Sequence, residues 1–132
     1  MTESIHGLLA KVRRDLGAAE RLLDAGDTDI PASRTYYAMY YVAIALLASE
    51  GLAYSKHSAV IAAYGKAFAR TEKLDPAYHR AIIDAFGVRS DADYALDPQF
   101  VTEGRLVAIA TARRFVDEAE AYLGPLAAPP DA

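Results

Sequence analysis

Three short stretches of this sequence bring together cations, hydroxyl groups and aromatic rings, the side chains that proteins use to bind or cleave phosphate esters. They are Ser33-Arg34-Thr35-Tyr36-Tyr37, then Lys56-His57-Ser58, then Arg89-Ser90-Asp91-Ala92-Asp93-Tyr94. Each stretch also has a purely structural interpretation. The chemistry therefore depends on which helices carry these residues and on how those helices pack.

Arg34 stands near the predicted start of a helix, where the helix dipole disfavours a positive charge. It therefore needs either a carboxylate partner or an anionic ligand. Asp91 or Asp93 could supply the carboxylate across the molecule, as a structural ion pair. Alternatively, Arg34 binds a phosphate near the helix start, where free backbone N–H groups face outward, and Ser33 belongs to the same anion site.

His57 follows Lys56 just before another predicted helix. A neutral imidazole there could act as a base, whereas a histidine in a capping loop commonly bonds only to backbone. Arg89 and Asp93 are four residues apart and form a salt bridge on one helical face if that helix continues so far. Tyr94 would then present its hydroxyl beside this pair.

The sequence predicts neither a metal site nor a cofactor. It contains no cysteine, and His6 and His79 have no acidic or histidine partner at the spacing of metal ligands.

The first stretch lies inside the segment from Thr28 to Gly51. Between its helix-start and helix-stop signals this segment is apolar or aromatic at nearly every position. Thr28 or Asp29 can cap a helix, and Gly51 can close it. A helix that is apolar nearly all round belongs at the centre of a bundle. A membrane span is disfavoured because Ser33, Arg34 and four tyrosine hydroxyls would be costly in lipid.

Four more segments have helical spacing, and short links join them. They cover residues 2–25, residues 58–70, a stretch from Asp75-Pro76 through Arg89 towards Tyr94, and a stretch from Asp97-Pro98 to residue 123. The predicted fold is all-α, an antiparallel up-and-down bundle of four to five helices. One domain is expected over residues 1–124, followed by a disordered tail, rich in proline and alanine, at 125–132.

Composition narrows the partners. The formal net charge is −4 and the pI is about 5.3, so the chain lacks the excess of lysine and arginine that general DNA binding requires. The first residues show no secretory pattern, which makes the cytoplasm the expected compartment.

The order of these features, S-R-x-Y-Y-A-M, then K-H-S, then R-S-D-A-D-Y, resembles the HEPN domain over about residues 5–123, most closely its small single-domain prokaryotic proteins. The resemblance implies a homodimeric helical bundle, commonly encoded beside a minimal nucleotidyltransferase as a toxin–antitoxin pair. Many HEPN toxins are metal-independent ribonucleases. Their motif is an arginine followed four to six residues later by a histidine.

Here the matching arginine is Arg89, but the residues four to six places later are Asp93, Tyr94 and Ala95. An ionised aspartate would repel a phosphate and could not protonate a leaving group. In some HEPN proteins a tyrosine shortly after the motif is modified with AMP, and Tyr94 is the residue that could correspond to it.

The sequence therefore favours a HEPN-type interaction and nucleotide-binding module without a complete ribonuclease motif, with Arg34, Tyr37, Arg89 and Tyr94 near the dimer cleft. One alternative is an active, metal-independent endoribonuclease in which His57 replaces the missing histidine. A third possibility is simple nucleotide or anion binding at Arg34 and Lys56.

Overall fold

The described residues form five α-helices and contain no strand. A computed structural model describes the backbone of residues 2–91 and 98–124 and the side chains of residues 4–87 and 101–124. The helices are α1 (Thr2–Asp24), α2 (Asp29–Ser49), α3 (His57–Tyr64), α4 (Ala77–Asp91) and α5 (Pro98–Leu123), with a π-helical turn (Gly65–Ala69) after α3. The predicted all-α bundle is confirmed.

Helix α2 lies at the centre and contacts each of the other four helices. Twelve of its 21 residues are buried, which is the outcome expected for a helix without a polar face. Around it, Tyr78 of α4 stacks on Phe115 of α5 with ring centroids 4.8 Å apart. The core is therefore built of aromatic and aliphatic side chains that all the helices share.

The C-terminal end of α2 matches its sequence signal, whereas the N-terminal end differs from it. Gly51 has a φ of 76° and donates its N–H to the carbonyl of Ala48, as a closing glycine should. At the start, Thr28 occupies the capping position but its side chain makes no capping hydrogen bond. Instead, Asp27 accepts a hydrogen bond from the N–H of Ile30 at 3.2 Å.

The third predicted helix is shorter than expected, because α3 ends at Tyr64 and a π-helical turn follows. The His79 ring packs against this turn and donates a hydrogen bond from Nε2 to the carbonyl of Ile61 at 3.1 Å. Gly65 makes room for it, since a Cβ there would lie 2.5 Å from the ring. The periodicity of one segment cannot reveal a side chain that packs against it from another helix.

Ion pairs join the charged face of α1 to α5. Arg13 forms ion pairs with Asp117 and Glu120 of α5, and Glu20 accepts a hydrogen bond from Arg113 of α5 at 2.6 Å. These side chains are at least a third exposed, so each pair adds little stability.

The predicted end of α4 near Tyr94 and the predicted tail at 125–132 lie outside the described residues. Within them, no helix is both long enough and apolar enough to span a bilayer.

We expect Gly65→Ala to lower the free energy of unfolding by about 1–3 kcal/mol, because the new methyl group overlaps the His79 ring, whose retreat would break its bond to Ile61. Chemical denaturation measures the change. Gly104→Ala is the matched control, since this helical glycine has nothing within 4 Å of the added carbon. Gly104→Ala should be neutral or stabilising by up to about 1 kcal/mol. Equal effects of the two substitutions would refute the assigned role of His79.

We expect Tyr64→Phe to stabilise the protein, by about 1 kcal/mol or more, because the Tyr64 hydroxyl is buried and hydrogen-bonds to no described group. Burial also raises the pKa of Tyr64 above its ordinary value near 10. A raised folded-state pKa means that stability is full below about pH 10 and falls as the pH rises beyond it. Denaturation between pH 8 and 11 should show a shallower alkaline decline in the variant, and an identical decline would contradict the assignment.

Candidate functional site

The imidazole of His57 lies within a group of aromatic side chains on α2 and α4. Its ring stacks on Tyr40 with centroids 4.2 Å apart and planes 23° apart. The hydroxyl of Tyr36 lies 2.8 Å from Nδ1 of His57, and the Tyr37 ring meets the imidazole edge-on at 5.8 Å. Phe86 of α4 packs on Tyr36 at 5.4 Å. We refer to these five side chains as the aromatic cluster.

Helical spacing explains how the cluster forms. Tyr36 and Tyr40 are one turn apart on the same face of α2, and Tyr37 lies on the adjacent face. His57 is the first residue of α3, so the chain returning from α2 brings its ring back over that face. The sequence-based interpretation of His57 as a backbone-bonded capping residue is replaced by a side-chain bond to Tyr36.

The tyrosines of the cluster differ in their access to water. Tyr36 is fully buried and Tyr40 is buried, whereas Tyr37 is partly exposed. Burial raises the pKa of Tyr40, and the neighbouring Tyr41 and Tyr37 add to this effect. Tyr40 therefore remains a neutral surface for the imidazole to stack on.

Arg34 lies one turn before Tyr37 on α2, and its side chain is 46% exposed. The described carboxylate near it is that of Asp15 on α1, at 3.9 Å, the outer limit for an ion pair. Asp15 is already bonded to Lys11 at 3.1 Å, and Lys11 in turn lies over the ring of Tyr41, 4.9 Å from its centroid. Arg34 is thus held loosely and has much of its guanidinium open to solvent.

The alternative partners of Arg34 stay predictions, because the side chain of Asp91 and all of Asp93 lie outside the described residues. The same holds for Tyr94. Arg89 belongs to the backbone of α4, three residues after Phe86, so its Cα lies one turn further along the same face of that helix. Arg89 therefore follows Phe86, a member of the aromatic cluster, by one turn of α4. The side chain of Arg89 is outside the described residues.

The remaining predicted residues flank the cluster without bonding to it. Ser33 is partly buried, three residues before Tyr36 on α2. Lys56 is exposed and directly precedes α3, whose first turn receives no capping bond from the Lys56 side chain. Among the described residues, no group of three acidic, histidine or cysteine side chains could hold a metal ion.

Buried Arg105, on α5, anchors the start of α2 and was missed by the sequence analysis. Only 7% of Arg105 is exposed, and its Nε donates a hydrogen bond to the carbonyl of Thr28 at 2.9 Å. Burial lowers its pKa, while the charge of nearby Asp29 opposes that effect. Helix α5 therefore holds in place the start of α2, which carries Ser33 and Arg34.

Two cluster members, Tyr40 and Phe86, were likewise not predicted as site residues, and Tyr36 was named only as part of the first stretch, without its bond to His57. The signal for Tyr36 and Tyr40 was present in the sequence, as two tyrosine pairs spaced one helical turn apart. Phe86 had no such signal, because its role depends on the packing of α4 against α2.

Comparison with known proteins decides the family. A model described as HEPN domain matches residues 5–122. The chain belongs to the HEPN domain family. This HEPN chain is 33% identical over 124 residues, 93% of its own length and 98% of its relative, to UPF0332 protein glr0978 of Gloeobacter violaceus.

Two further relatives have similar scores. Putative toxin MJ0142 of Methanocaldococcus jannaschii is 30% identical over 116 residues, covering 88% of the HEPN chain and 79% of the relative. A UPF0332 protein of Thermotoga maritima is 33% identical over 110 residues, 83% of each chain. No solved structure gives a significant match.

Proposed function

We propose that this chain is a toxin-like HEPN module that binds a nucleotide and acts beside a minimal nucleotidyltransferase, as one half of a toxin–antitoxin-like pair. Two relatives that bear the word toxin in their names support the first part. The family resemblance supports a homodimer and the partner enzyme.

The observation that carries nucleotide binding is an exposed Arg34 on α2, one helical turn before Tyr37 of the aromatic cluster. A nucleotide combines an anionic phosphate with a planar aromatic base, and so its site needs a cation next to rings that can stack. Arg34 provides a guanidinium that no carboxylate in the described residues engages closely. Tyr37, partly exposed, stands one turn away and meets the imidazole of His57. Base–aromatic stacking contributes about 1–3 kcal/mol per base.

Electrostatics around the cluster favour a single anion over a polynucleotide. The chain as a whole is acidic, with a formal net charge of −4, so long phosphate backbones gain little from it. Locally, Arg34 and Lys56 are cationic and exposed, and the first N–H groups of α3 begin at His57. Helix starts of this kind attract phosphate.

Calorimetry with ATP and GTP tests the proposal. We expect the wild-type protein to bind at least one of them and Arg34→Gln to bind it about tenfold or more weakly, because a charge-assisted hydrogen bond contributes about 1.5–3 kcal/mol. The substitution should change the free energy of unfolding by less than about 0.5 kcal/mol, since the pair with Asp15 is long, at 3.9 Å, and its arginine is 46% exposed.

Arg70→Gln is the matched control, because Arg70 is also exposed but follows the π-helical turn, about 20 Å from the start of α3 along the helix axis. This variant should bind like the wild type. Absence of heat at millimolar nucleotide, or equal losses in both variants, would refute the assignment of Arg34. The partner half fails separately if no nucleotidyltransferase is encoded beside this gene or none co-purifies with the protein.

A metal-independent ribonuclease is the second candidate function, with Arg89 steadying the phosphate and His57 assisting the attack of the ribose hydroxyl. One observation favours it. The imidazole of His57 is bonded to Tyr36, Tyr36 packs on Phe86, and Phe86 precedes Arg89 by one helical turn.

For this second candidate, purified protein in EDTA should cleave single-stranded RNA, and Arg89→Ala and His57→Ala should each lower the rate by about 100-fold or more, the scale of a lost general base. Arg70→Ala again serves as the control. Cleavage that persists in either site variant, or no cleavage by the intact protein, would rule this function out and leave nucleotide binding.

A further inference from the structure

We propose that Tyr36 is a positioning residue that fixes His57 in one tautomer, so that its outer nitrogen, Nε2, is a hydrogen-bond donor to an anionic oxygen such as that of a bound phosphate. This inference rests on the proposed function for the identity of the ligand. It concerns the protonated nitrogen of His57, which decides whether the residue holds a ligand or removes a proton from it.

The orientation of the imidazole is set by two contacts. Its face is covered by Tyr40 at 4.2 Å, and its Nδ1 lies 2.8 Å from the Tyr36 hydroxyl. Turning the ring over would place a carbon against that hydroxyl and lose the bond. Because Tyr36 is fully buried in α2, its hydroxyl is a fixed point to which the ring must conform.

The chemistry of the two groups sets the direction of the bond. A phenol is a good donor, and an unprotonated imidazole nitrogen is a better acceptor than a phenol oxygen. The Tyr36 hydroxyl therefore donates to Nδ1, and Nδ1 carries no proton. In a neutral imidazole the proton must then be on Nε2, since one ring nitrogen is a donor and the other an acceptor.

The outer nitrogen is available to a ligand. No described residue hydrogen-bonds to Nε2 of His57. Among the described residues, the side-chain polar atom that is buried and lacks a hydrogen bond is the Tyr64 hydroxyl. Because Nε2 lacks a hydrogen bond but is not such a buried atom, it is not sealed in the interior. The cation Lys56 directly precedes His57, which opens the first turn of α3. A donor in this setting suits a phosphate oxygen.

This tautomer separates two roles for His57. A general base needs a lone pair on the nitrogen that faces the substrate, whereas Nε2–H presents a proton. A base role at Nε2 would require Nδ1–H to donate to Tyr36, the reverse of the arrangement inferred above. The proposal thus favours holding the ligand over abstracting a proton.

Nitrogen NMR of the imidazole tests the proposal directly. In alkaline buffer, where imidazoles are neutral, long-range proton–nitrogen correlation should show His57 in the Nε2–H form. The signal is assigned by its loss in His57→Gln. Tyr36→Phe should shift His57 towards a mixture of tautomers. Tyr64→Phe is the matched control, because it removes a hydroxyl from another fully buried tyrosine and should leave the His57 signals unchanged.

Binding supplies the second readout. Tyr36→Phe should weaken binding of whichever of ATP and GTP the wild type binds about three- to tenfold, the size of one ordinary hydrogen bond. His57→Gln should bind better than His57→Ala, because its amide N–H can replace the Nε2 donor. An Nδ1–H form in the wild type, unchanged signals in Tyr36→Phe, or equal losses in His57→Gln and His57→Ala would overturn the inference. If the wild type binds neither ATP nor GTP, the proposed function fails, and the tautomer measurement still decides whether Tyr36 sets the donor.

Discussion

The burial of α2 on all sides is the constraint on which the rest of the structure depends. A helix with a polar face can rest on a bundle, but one with twelve buried residues out of 21 must be enclosed by other helices. Helices α1, α3, α4 and α5 provide that enclosure. The short links between helices then leave little freedom in how the chain returns over α2, and this return is what places His57 on the tyrosines.

A buried helix that carries tyrosines creates a second requirement, because each hydroxyl taken out of water needs a partner. Tyr36 meets it with His57, whereas Tyr64 leaves its hydroxyl unbonded among the described residues. The first arrangement ties a buried hydroxyl of α2 to a partly exposed imidazole at the start of α3. The arrangement of the candidate site therefore follows in part from the need to give a buried tyrosine hydroxyl a hydrogen-bond partner.

Local signals were enough to predict much of the fold. The helical periodicities, the closing Gly51 and the proline starts each act within a few residues, so the all-α bundle with α2 at its centre followed from the sequence. The π-helical turn did not, because the His79 ring that packs against it comes from α4. For the same reason the sequence suggested the stretches that contain Arg34 and His57 but not their partners Asp15 and Tyr36. The choice of partner depends on helix packing, which no single stretch encodes.

Among the residues that the structure describes, His57 is the only histidine near the site. Its position bears on the chemistry of this HEPN chain. The family resemblance would place a histidine after Arg89, on the helix that carries the arginine, but the chain has Asp93 and Tyr94 there. His57 instead enters from α3 with one ring nitrogen already bonded to a buried hydroxyl. A base that acts through Nε2 needs a lone pair there, whereas the phenol donor that we infer at Nδ1 leaves the proton on Nε2. On our proposal, the aromatic cluster therefore holds an anion through Nε2–H of His57 and does not remove a proton from it.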